Sequence, residues 1–173
     1  MGDLADVVGP LVREVPDFPK PGVMFRDITP LLADGPAFAA LIDDWAGRHH
    51  DIDVVAGIEA RGFILGAPLA LRLGVGFVPV RKEGKLPGRT RRASYALEYG
   101  EATLEVTADG VRPGQRILLV DDVLATGGTA AAAAQLLEGE GAVVVGIQVL
   151  MELTFLSGRD RLTGRTVDAT LVV

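Results

Sequence analysis

Short apolar runs alternate with longer segments of helical length from about residue 53 to the end of the chain. Runs that are apolar at nearly every position are typical of strands buried on both faces, as in parallel sheets covered by helices. The segments between them, at about 62–73 and 128–140, have helical length, and a glycine that can end a helix follows each one. The pattern therefore predicts an α/β fold with a mostly parallel central sheet flanked by helices. The predicted strands are 53–58, 76–80, 116–121, 143–151 and 166–173.

The part of the chain before residue 53 has a different pattern. Apolar side chains at 38, 41, 42 and 45 have the spacing of an amphipathic helix, which we predict over about 36–49. His49 and His50 end this helix and point apart because they are adjacent, so we assign them no function. The first thirty residues contain five prolines, and we therefore expect turns and extended pieces that wrap the domain there.

A long interruption separates the strand at 76–80 from the strand at 116–121. Residues 94–97 and 103–106 have the composition of two short strands, and together they predict a hairpin within this excursion. Long excursions inside a compact domain are more often functional lids than idle structure. We therefore expect a flexible hairpin lid over about 90–107.

Composition places the chain among ordinary globular proteins. Its 173 residues, 49% apolar and 23% charged, predict a single domain, 1–173, with its own core. The absence of cysteine excludes thiol catalysis and cysteine-ligated zinc. The longest apolar stretch is shorter than the ~20 residues that span a bilayer, and the acidic N-terminus lacks a signal-peptide pattern. We therefore expect a cytoplasmic protein with no membrane partner.

Charge is distributed unevenly along the chain. The net charge of −6 argues against nucleic acid as a partner, because phosphate neutralisation needs a basic surface. Nevertheless, six of the 17 basic residues lie within positions 81–92. This concentration favours a binding site for a small polyanion, although a solvated basic loop explains the charge alone equally well. The six are Arg81, Lys82, Lys85, Arg89, Arg91 and Arg92.

The segment 117–129 carries the most informative motif. An apolar strand leads to two adjacent acids, Asp121 and Asp122, then to a turn rich in glycine and hydroxyl groups, then to a helix. Ligands of open α/β sheets bind at the carboxyl ends of strands, and a glycine-rich turn before a helix presents inward N–H groups to an anion. The order of residues therefore predicts a cradle for a phosphate monoester. Its members are Ala125, Thr126, Gly127, Gly128 and Thr129.

The acids beside this cradle need partners of their own, since they would otherwise repel a phosphate. Sugar hydroxyls or a hydrated Mg²⁺ satisfy them. Taken alone, Asp122 is explained equally well as the start of a turn, and Thr126 as a helix cap. The whole ordered motif at 117–129 favours the phosphate cradle. A second glycine motif at 57–62 has the spacing of a Walker A loop, but Phe63 and Ile64 stand where that loop requires Lys and Ser or Thr.

With these residues in place, the chain resembles the type I phosphoribosyltransferases, and among them those that act on adenine. The acid pair followed by Ala-Thr-Gly-Gly-Thr carries the first resemblance, and the similarity extends from about residue 8 to 165. Members of the family often have Asp-Ser where Glu59 and Ala60 stand, so one hydroxyl near the pyrophosphate is missing here. The segments that narrow the resemblance to adenine are 16–32, 57–63, 81–88 and 95–100.

The resemblance implies a Rossmann-like fold with a base-recognising hood segment at 1–35. It also implies an activity, transfer of the 5-phosphoribosyl group from phosphoribosyl pyrophosphate to adenine, which gives AMP and pyrophosphate in purine salvage. Mg²⁺ would accompany phosphoribosyl pyrophosphate, held through substrate and waters near Asp121 and Asp122 rather than by direct protein ligands. A homodimer is expected, and whether Arg81 and Lys85 act across its interface is left open.

The same resemblance implies a role for each candidate residue. The cradle at 125–129 would hold the 5′-phosphate, and Asp121 and Asp122 would hold the ribose hydroxyls. Arg61 would contact pyrophosphate, although a surface ion pair is its simpler explanation. The basic segment would contribute further pyrophosphate contacts from Arg81, Lys82 and Lys85.

Base recognition is assigned to the hood and the lid. Met24, Phe25 and Arg26 would frame adenine, although Phe25 is equally a core residue on the sequence alone. Glu98 would face the purine imidazole and Tyr99 would close over the site; without the resemblance, Glu98 is an exposed turn residue. The catalytic residues implied are Glu98, Asp121, Asp122 and Arg61.

Two other functions are alternatives to this one. A regulator with the same fold would sense phosphoribosyl pyrophosphate, but it would need an effector domain for which the Pro-rich first thirty residues offer no room. The same chemistry on hypoxanthine, xanthine or orotate is the other alternative. The preference for adenine rests on the resemblance alone.

Overall fold

The computed structural model describes residues 4–96 and 101–173. The chain divides into two compact units, Met1–Arg48 and His49–Val173. Among the described residues, no helix is both long and apolar enough to cross a bilayer.

The N-terminal unit is built around one long helix. Helix α3 confirms the helix predicted over about 36–49, and its Leu41, Ile42 and Trp45 are buried. Strands β1 and β2 form an antiparallel ribbon. The elements of this unit are α1 (Leu4–Val8), a 3₁₀ helix (Gly9–Leu11), β1 (Arg13–Pro16), β2 (Met24–Asp27), α2 (Thr29–Ala33) and α3 (Gly35–Arg48).

Two short helices in this unit correct the expectation of turns and extended pieces alone. Helix α1 contains no proline and packs against α3. Helix α2 tolerates Pro30 because the proline lies in the first turn, where its missing N–H has no helical partner to lose. Proline content therefore limits helix length in this segment without excluding helices.

The C-terminal unit contains the sheet. Each strand and helix predicted from residue 53 onward is present, with ends that differ by up to a few residues. Its elements are β3 (Val54–Ile58), α4 (Arg61–Leu73), β4 (Gly76–Lys82), β5 (Thr90–Ala96), β6 (Glu101–Thr107), β7 (Arg116–Leu124), α5 (Gly128–Gly139), β8 (Val143–Glu152) and β9 (Val167–Val172), with 3₁₀ helices at Thr154–Leu156 and Gly158–Leu162.

Seven strands form one mixed sheet in the order β5-β6-β4-β3-β7-β8-β9. The five strands from β4 to β9 in this order are parallel, whereas β5 and β6 pair antiparallel to each other and β6 antiparallel to β4. This architecture confirms the α/β fold with a mostly parallel sheet. The two neighbours of β3 in the sheet are β4, which follows it in the chain, and β7, which comes later. The strand order therefore reverses between β3 and β7, and this is the topological switch point of the sheet.

Both faces of the sheet are covered, as the continuous apolar runs predicted. Successive strand residues point to opposite faces, so Val55 and Val120 share one face with helix α4, whose Gly66 approaches both. The other face carries Ile117 and Leu119 against the alanine-rich α5. Every residue of β3 and most residues of β7 are buried, because a helix covers each face of the sheet.

The predicted hairpin is present as β5 and β6, and its base belongs to the sheet. Arg81 of β4 pairs with Glu105 of β6, and Leu104 and Val106 of β6 are buried in the core. The base of the predicted lid hairpin therefore has buried apolar side chains on β6. The hairpin tip, 97–100, lies outside the described residues.

Candidate active site

The candidate site lies at the carboxyl ends of β3 and β7, on either side of the switch point. The residues after β3 supply Glu59 and Arg61, and β7 supplies Asp121 and Asp122. Open α/β sheets bind ligands at such a crevice because neighbouring chains leave the sheet in opposite directions there. The topology thus brings together residues that are about sixty positions apart in sequence.

Both acids lie inside β7, which runs three residues past the end predicted at Asp121. The strand continues to Leu124, and Asp121 pairs in register with Val149 of β8. The Asp122 amide donates to Asp121 Oδ1 at 2.9 Å. Burial and the adjacent Asp122 carboxylate raise the pKa of Asp121 well above its ordinary value. The pair is a site of negative potential that a cation or hydroxyl donors would relieve.

Arg61 forms an ion pair with Asp122 across the switch point. The Asp122 side chain is 6% exposed and that of Arg61 is 43% exposed. The simpler explanation offered for Arg61, an ion pair, is therefore present, but its partner is a buried residue of the acid pair. The pairing places the Arg61 guanidinium beside the acids, where it would contact an anion bound at the carboxyl ends of β3 and β7.

The predicted cradle is a tight turn that leads into α5. Gly127 has φ +79°, a left-handed conformation that glycine adopts without steric cost. Among the described residues, no side chain caps the N-terminus of α5, and the Gly127 carbonyl accepts from the Ala131 amide at 2.9 Å. The first N–H groups of a helix left without a cap are a suitable binding place for a phosphate.

The turn packs directly against the 3₁₀ helix Gly158–Leu162. A Cβ atom on Gly127 would lie 2.2 Å from the Gly158 carbonyl oxygen, and one on Gly158 would lie 2.2 Å from the carbonyl oxygen of Ala125. Neither glycine can carry a side chain without displacing backbone. The position of the cradle is therefore fixed by contact between two stretches of main chain.

Thr126 and Thr129 have different surroundings. Thr126 is exposed. The Thr129 hydroxyl lies 3.2 Å from the Tyr95 hydroxyl, a hydrogen bond that joins the hairpin strand β5 to the first turn of α5. One threonine thus faces solvent beside the cradle while the other links the cradle to the hairpin.

The basic segment after β4 folds onto Glu59. Arg81 Nε and Nη2 lie 3.2 and 3.3 Å from the Glu59 carboxylate, and Lys85 Nζ lies 2.6 Å from Oε1. Burial raises the pKa of Glu59, but hydrogen bonds from Lys85 and Arg81 outweigh it and lower the pKa to about 2. The Lys82 side chain is exposed, and its amide donates to Glu59 at 3.1 Å.

The residues expected to frame adenine lie in the N-terminal unit, on β2. Phe25 packs edge-on against Phe18 with ring centroids 5.1 Å apart, and it is half-buried rather than a core residue. Met24 is 48% exposed. Arg26 forms an ion pair with Glu14 of β1. The structure thus leaves the Phe25 ring and the Met24 side chain partly accessible.

Glu98 and Tyr99, assigned to the lid, lie outside the described residues. Sequence reasoning noted Glu59 only as a departure from the family pattern and gave it no role, although it is the acid on which the basic segment folds. It also did not identify Gly158 or Arg161, which lie beside the cradle. Nη1 of Arg161 is 3.5 Å from the position that a Cβ atom on Gly128 would occupy. No sequence signal marks these contacts, because they join segments distant in the chain.

The donor set at the acid pair fits Mg²⁺ held mainly by other ligands. Carboxylate oxygens suit this ion, which usually keeps several waters and binds through one or two carboxylates plus substrate phosphates. Among residues 4–96 and 101–173, no group of three or more His, Asp or Glu side chains has the arrangement of a metal site. Asp121 and Asp122 would therefore hold such an ion through substrate and water.

Comparison with protein families finds a match over most of the chain. The model of the phosphoribosyl transferase domain matches residues 31–170. A curated relative, the adenine phosphoribosyltransferase of Parafrankia sp. (strain EAN1pec), is 62% identical over 169 residues, which cover 96% of this chain and 91% of the relative. The match extends over nearly the whole of both chains.

Solved structures agree with this result. The adenine phosphoribosyltransferase of Thermoanaerobacter pseudethanolicus has a TM-score of 0.94 at 50% identity and covers 98% of this chain and 99% of its own. The Saccharomyces cerevisiae enzyme, solved with adenine and an imino-altritol bisphosphate, has a TM-score of 0.92 at 39% identity. That match covers 99% of this chain and 100% of the yeast chain.

Proposed function

Because this chain belongs to the adenine phosphoribosyltransferases of the phosphoribosyl transferase family, we infer that it transfers the 5-phosphoribosyl group of phosphoribosyl pyrophosphate to adenine in purine salvage. The products are AMP and pyrophosphate. One observation carries this conclusion for the chain's own residues. The acid pair, the cradle before α5 and Arg61 lie together at the carboxyl ends of β3 and β7.

The cradle at 125–129 is proposed to bind the 5′-phosphate of the substrate. Its support is the left-handed turn at Gly127 and the uncapped start of α5, whose N–H groups and partial positive charge suit a phosphate. Thr126 and Thr129 are proposed to add hydroxyl donors. The 5′-phosphate would then fix the ribose next to β7.

Asp121 and Asp122 are proposed to bind the ribose 2′- and 3′-hydroxyls, directly or through the waters of Mg²⁺. The bond between the ribose carbon and pyrophosphate breaks with its electron pair leaving on pyrophosphate, and a ring nitrogen of adenine bonds to that carbon. Positive charge develops on the ribose in between, and fixed carboxylates stabilise it. Mg²⁺, when bound, supplies charge neutralisation for the leaving pyrophosphate.

Arg61, Arg81, Lys82 and Lys85 are proposed to bind the pyrophosphate as it accumulates negative charge. The role of Arg61 is supported by its position beside the two acids. The roles of the other three are supported by the positive charge concentrated in their segment. Met24, Phe25 and Arg26 are proposed to frame adenine. Glu98 is proposed to accept the ring proton that adenine loses, with Tyr99 closing over the site.

A homodimer in the cytoplasm is the proposed working form. Closed dimers are the commonest symmetric assembly, and a basic segment that completes the site of a partner would require one. A role in purine salvage supports the cytoplasmic location.

The test of the reaction supplies phosphoribosyl pyrophosphate and Mg²⁺ with one base at a time and measures pyrophosphate release. Adenine should support release, and hypoxanthine, xanthine and orotate should not. Equal release with another base would contradict the assignment of adenine. No release with any base would contradict the reaction itself.

A further inference from the structure

Glu59 occupies a central position that the proposed reaction leaves without a role. Its carboxylate is 10% exposed and lies at the carboxyl end of β3. Arg81, Lys85 and the Lys82 amide all donate to it, at 2.6–3.3 Å. Nearly every hydrogen-bonding direction of the carboxylate is therefore used by the segment that follows β4.

This segment, residues 81–86, is held at a second point by another buried carboxylate. Glu105 of β6 is fully buried, and its Oε1 accepts from the Lys85 amide at 3.0 Å and the Leu86 amide at 2.9 Å. Arg81 Nη1 also donates to the Lys85 carbonyl at 3.1 Å. The main chain of the segment is thus tied to β6, while its cationic side chains are tied to Glu59.

The charge of the cluster stays positive with Glu59 included. Two cationic side chains, Arg81 and Lys85, donate to the one carboxylate of Glu59, which leaves one positive charge in excess at this contact. Without the Glu59 carboxylate between them, the like charges of Arg81 and Lys85 would repel one another. A carboxylate with a pKa near 2 remains ionised across the physiological range and holds them together throughout it.

We propose that Glu59 is a positioning residue for pyrophosphate, holding Arg81 and Lys85 in the arrangement that receives the anion. The inference rests on the proposed function, because it presumes that these cations bind pyrophosphate. Side chains that are already ordered lose less conformational entropy on binding, and this is the source of the affinity that Glu59 supplies.

The opposite role for Glu59 gives the opposite result. If Glu59 were only a counter-ion that pyrophosphate displaces, removing its charge would tighten pyrophosphate binding. If it positions the cations, removing its charge weakens that binding. The sign of the change therefore decides between the two roles.

The experiment compares Glu59→Gln with wild type by calorimetric titration of magnesium pyrophosphate and, separately, of AMP. We expect pyrophosphate to bind about tenfold more weakly, while AMP, which does not need this segment, stays within about twofold. The matched control is Glu83→Gln, the same change at an exposed acid of the same loop that pairs with Arg92. It should leave both affinities unchanged.

Each other outcome overturns the inference. Unchanged or tighter pyrophosphate binding in Glu59→Gln removes the positioning role, and equal loss of AMP and pyrophosphate binding shows a merely structural one. If Glu59→Gln fails to fold, Glu59→Asp is used, with a raised KM for phosphoribosyl pyrophosphate at little-changed kcat as the supporting result; no rise in KM overturns it. Absence of adenine turnover in wild type would instead contradict the proposed function.

Discussion

At the scale of single residues, the sequence predicted which groups form the site but not how they pair. The acids and the cradle are contiguous in the chain, so their order alone indicated a phosphate site. The pairs Arg61–Asp122 and Lys85–Glu59 join segments that only the fold brings together. Long-range pairs leave no local pattern, and this is why Glu59 received no role from the sequence.

Asp122 and Thr126 provide the first test at this scale. Asp122→Asn and Thr126→Ala should each lower kcat on the order of 10²–10³-fold, because each removes one fixed polar contact to the transition state. The measurement is steady-state pyrophosphate release with adenine. The control is Asp43→Asn on the exposed face of α3, which should match wild type. Near-wild-type kcat in both variants would contradict the cradle assignment.

At the scale of elements, the periodic segments were predictable and the excursion was less so. The parallel strands follow from their apolar runs, because burial on both faces leaves a continuous signature, and α3 follows from helical apolar spacing. Helices α4 and α5 follow from segment length and from the glycine after each one. The strand predicted over 116–121 ends at the first acid, whereas β7 extends to Leu124. In the sequence, polar residues at the end of a buried strand resemble the start of a turn. In the structure, pairing with β8 continues the strand to Leu124.

The hairpin gives the prediction that belongs to this scale. Amides of Leu104 and Val106 should be protected from hydrogen exchange without ligand, since both residues are buried. Amides of β5 nearer the tip, 94–96, should exchange faster and gain protection when AMP binds, because ligand supplies partners for the lid. Leu119 of β7 is the internal reference and should not change. Complete protection of 94–106 without ligand, unaltered by AMP, would show a fixed hairpin.

At the scale of the whole molecule, the mostly parallel sheet was predicted and the division into two compact units was not. Length and composition favoured one domain because they average over the chain. The Pro-rich start gave no hint that α1, α2 and the β1–β2 ribbon would form a compact unit with α3. Local composition does not encode contacts between such short elements.

Assembly is the property to test at this scale. Sedimentation at working enzyme concentration should give twice the chain mass of 18.1 kDa, because the proposed working form is a dimer. Activity measured across a dilution series through dissociation should fall with the dimer fraction. A fully active species at the chain mass would remove any role of Arg81 and Lys85 across an interface.

The contact between Gly127 and Gly158 also restricts how this protein can diverge. A clash between two side chains can be relieved when one of them is replaced by a smaller residue. Here the obstructing atoms are carbonyl oxygens of the main chain, which every amino acid carries. No substitution at a second site can make room for a side chain at either glycine. Compensatory mutations therefore cannot rescue a replacement of Gly127 or Gly158. New substrate preferences must therefore arise at positions other than these two glycines.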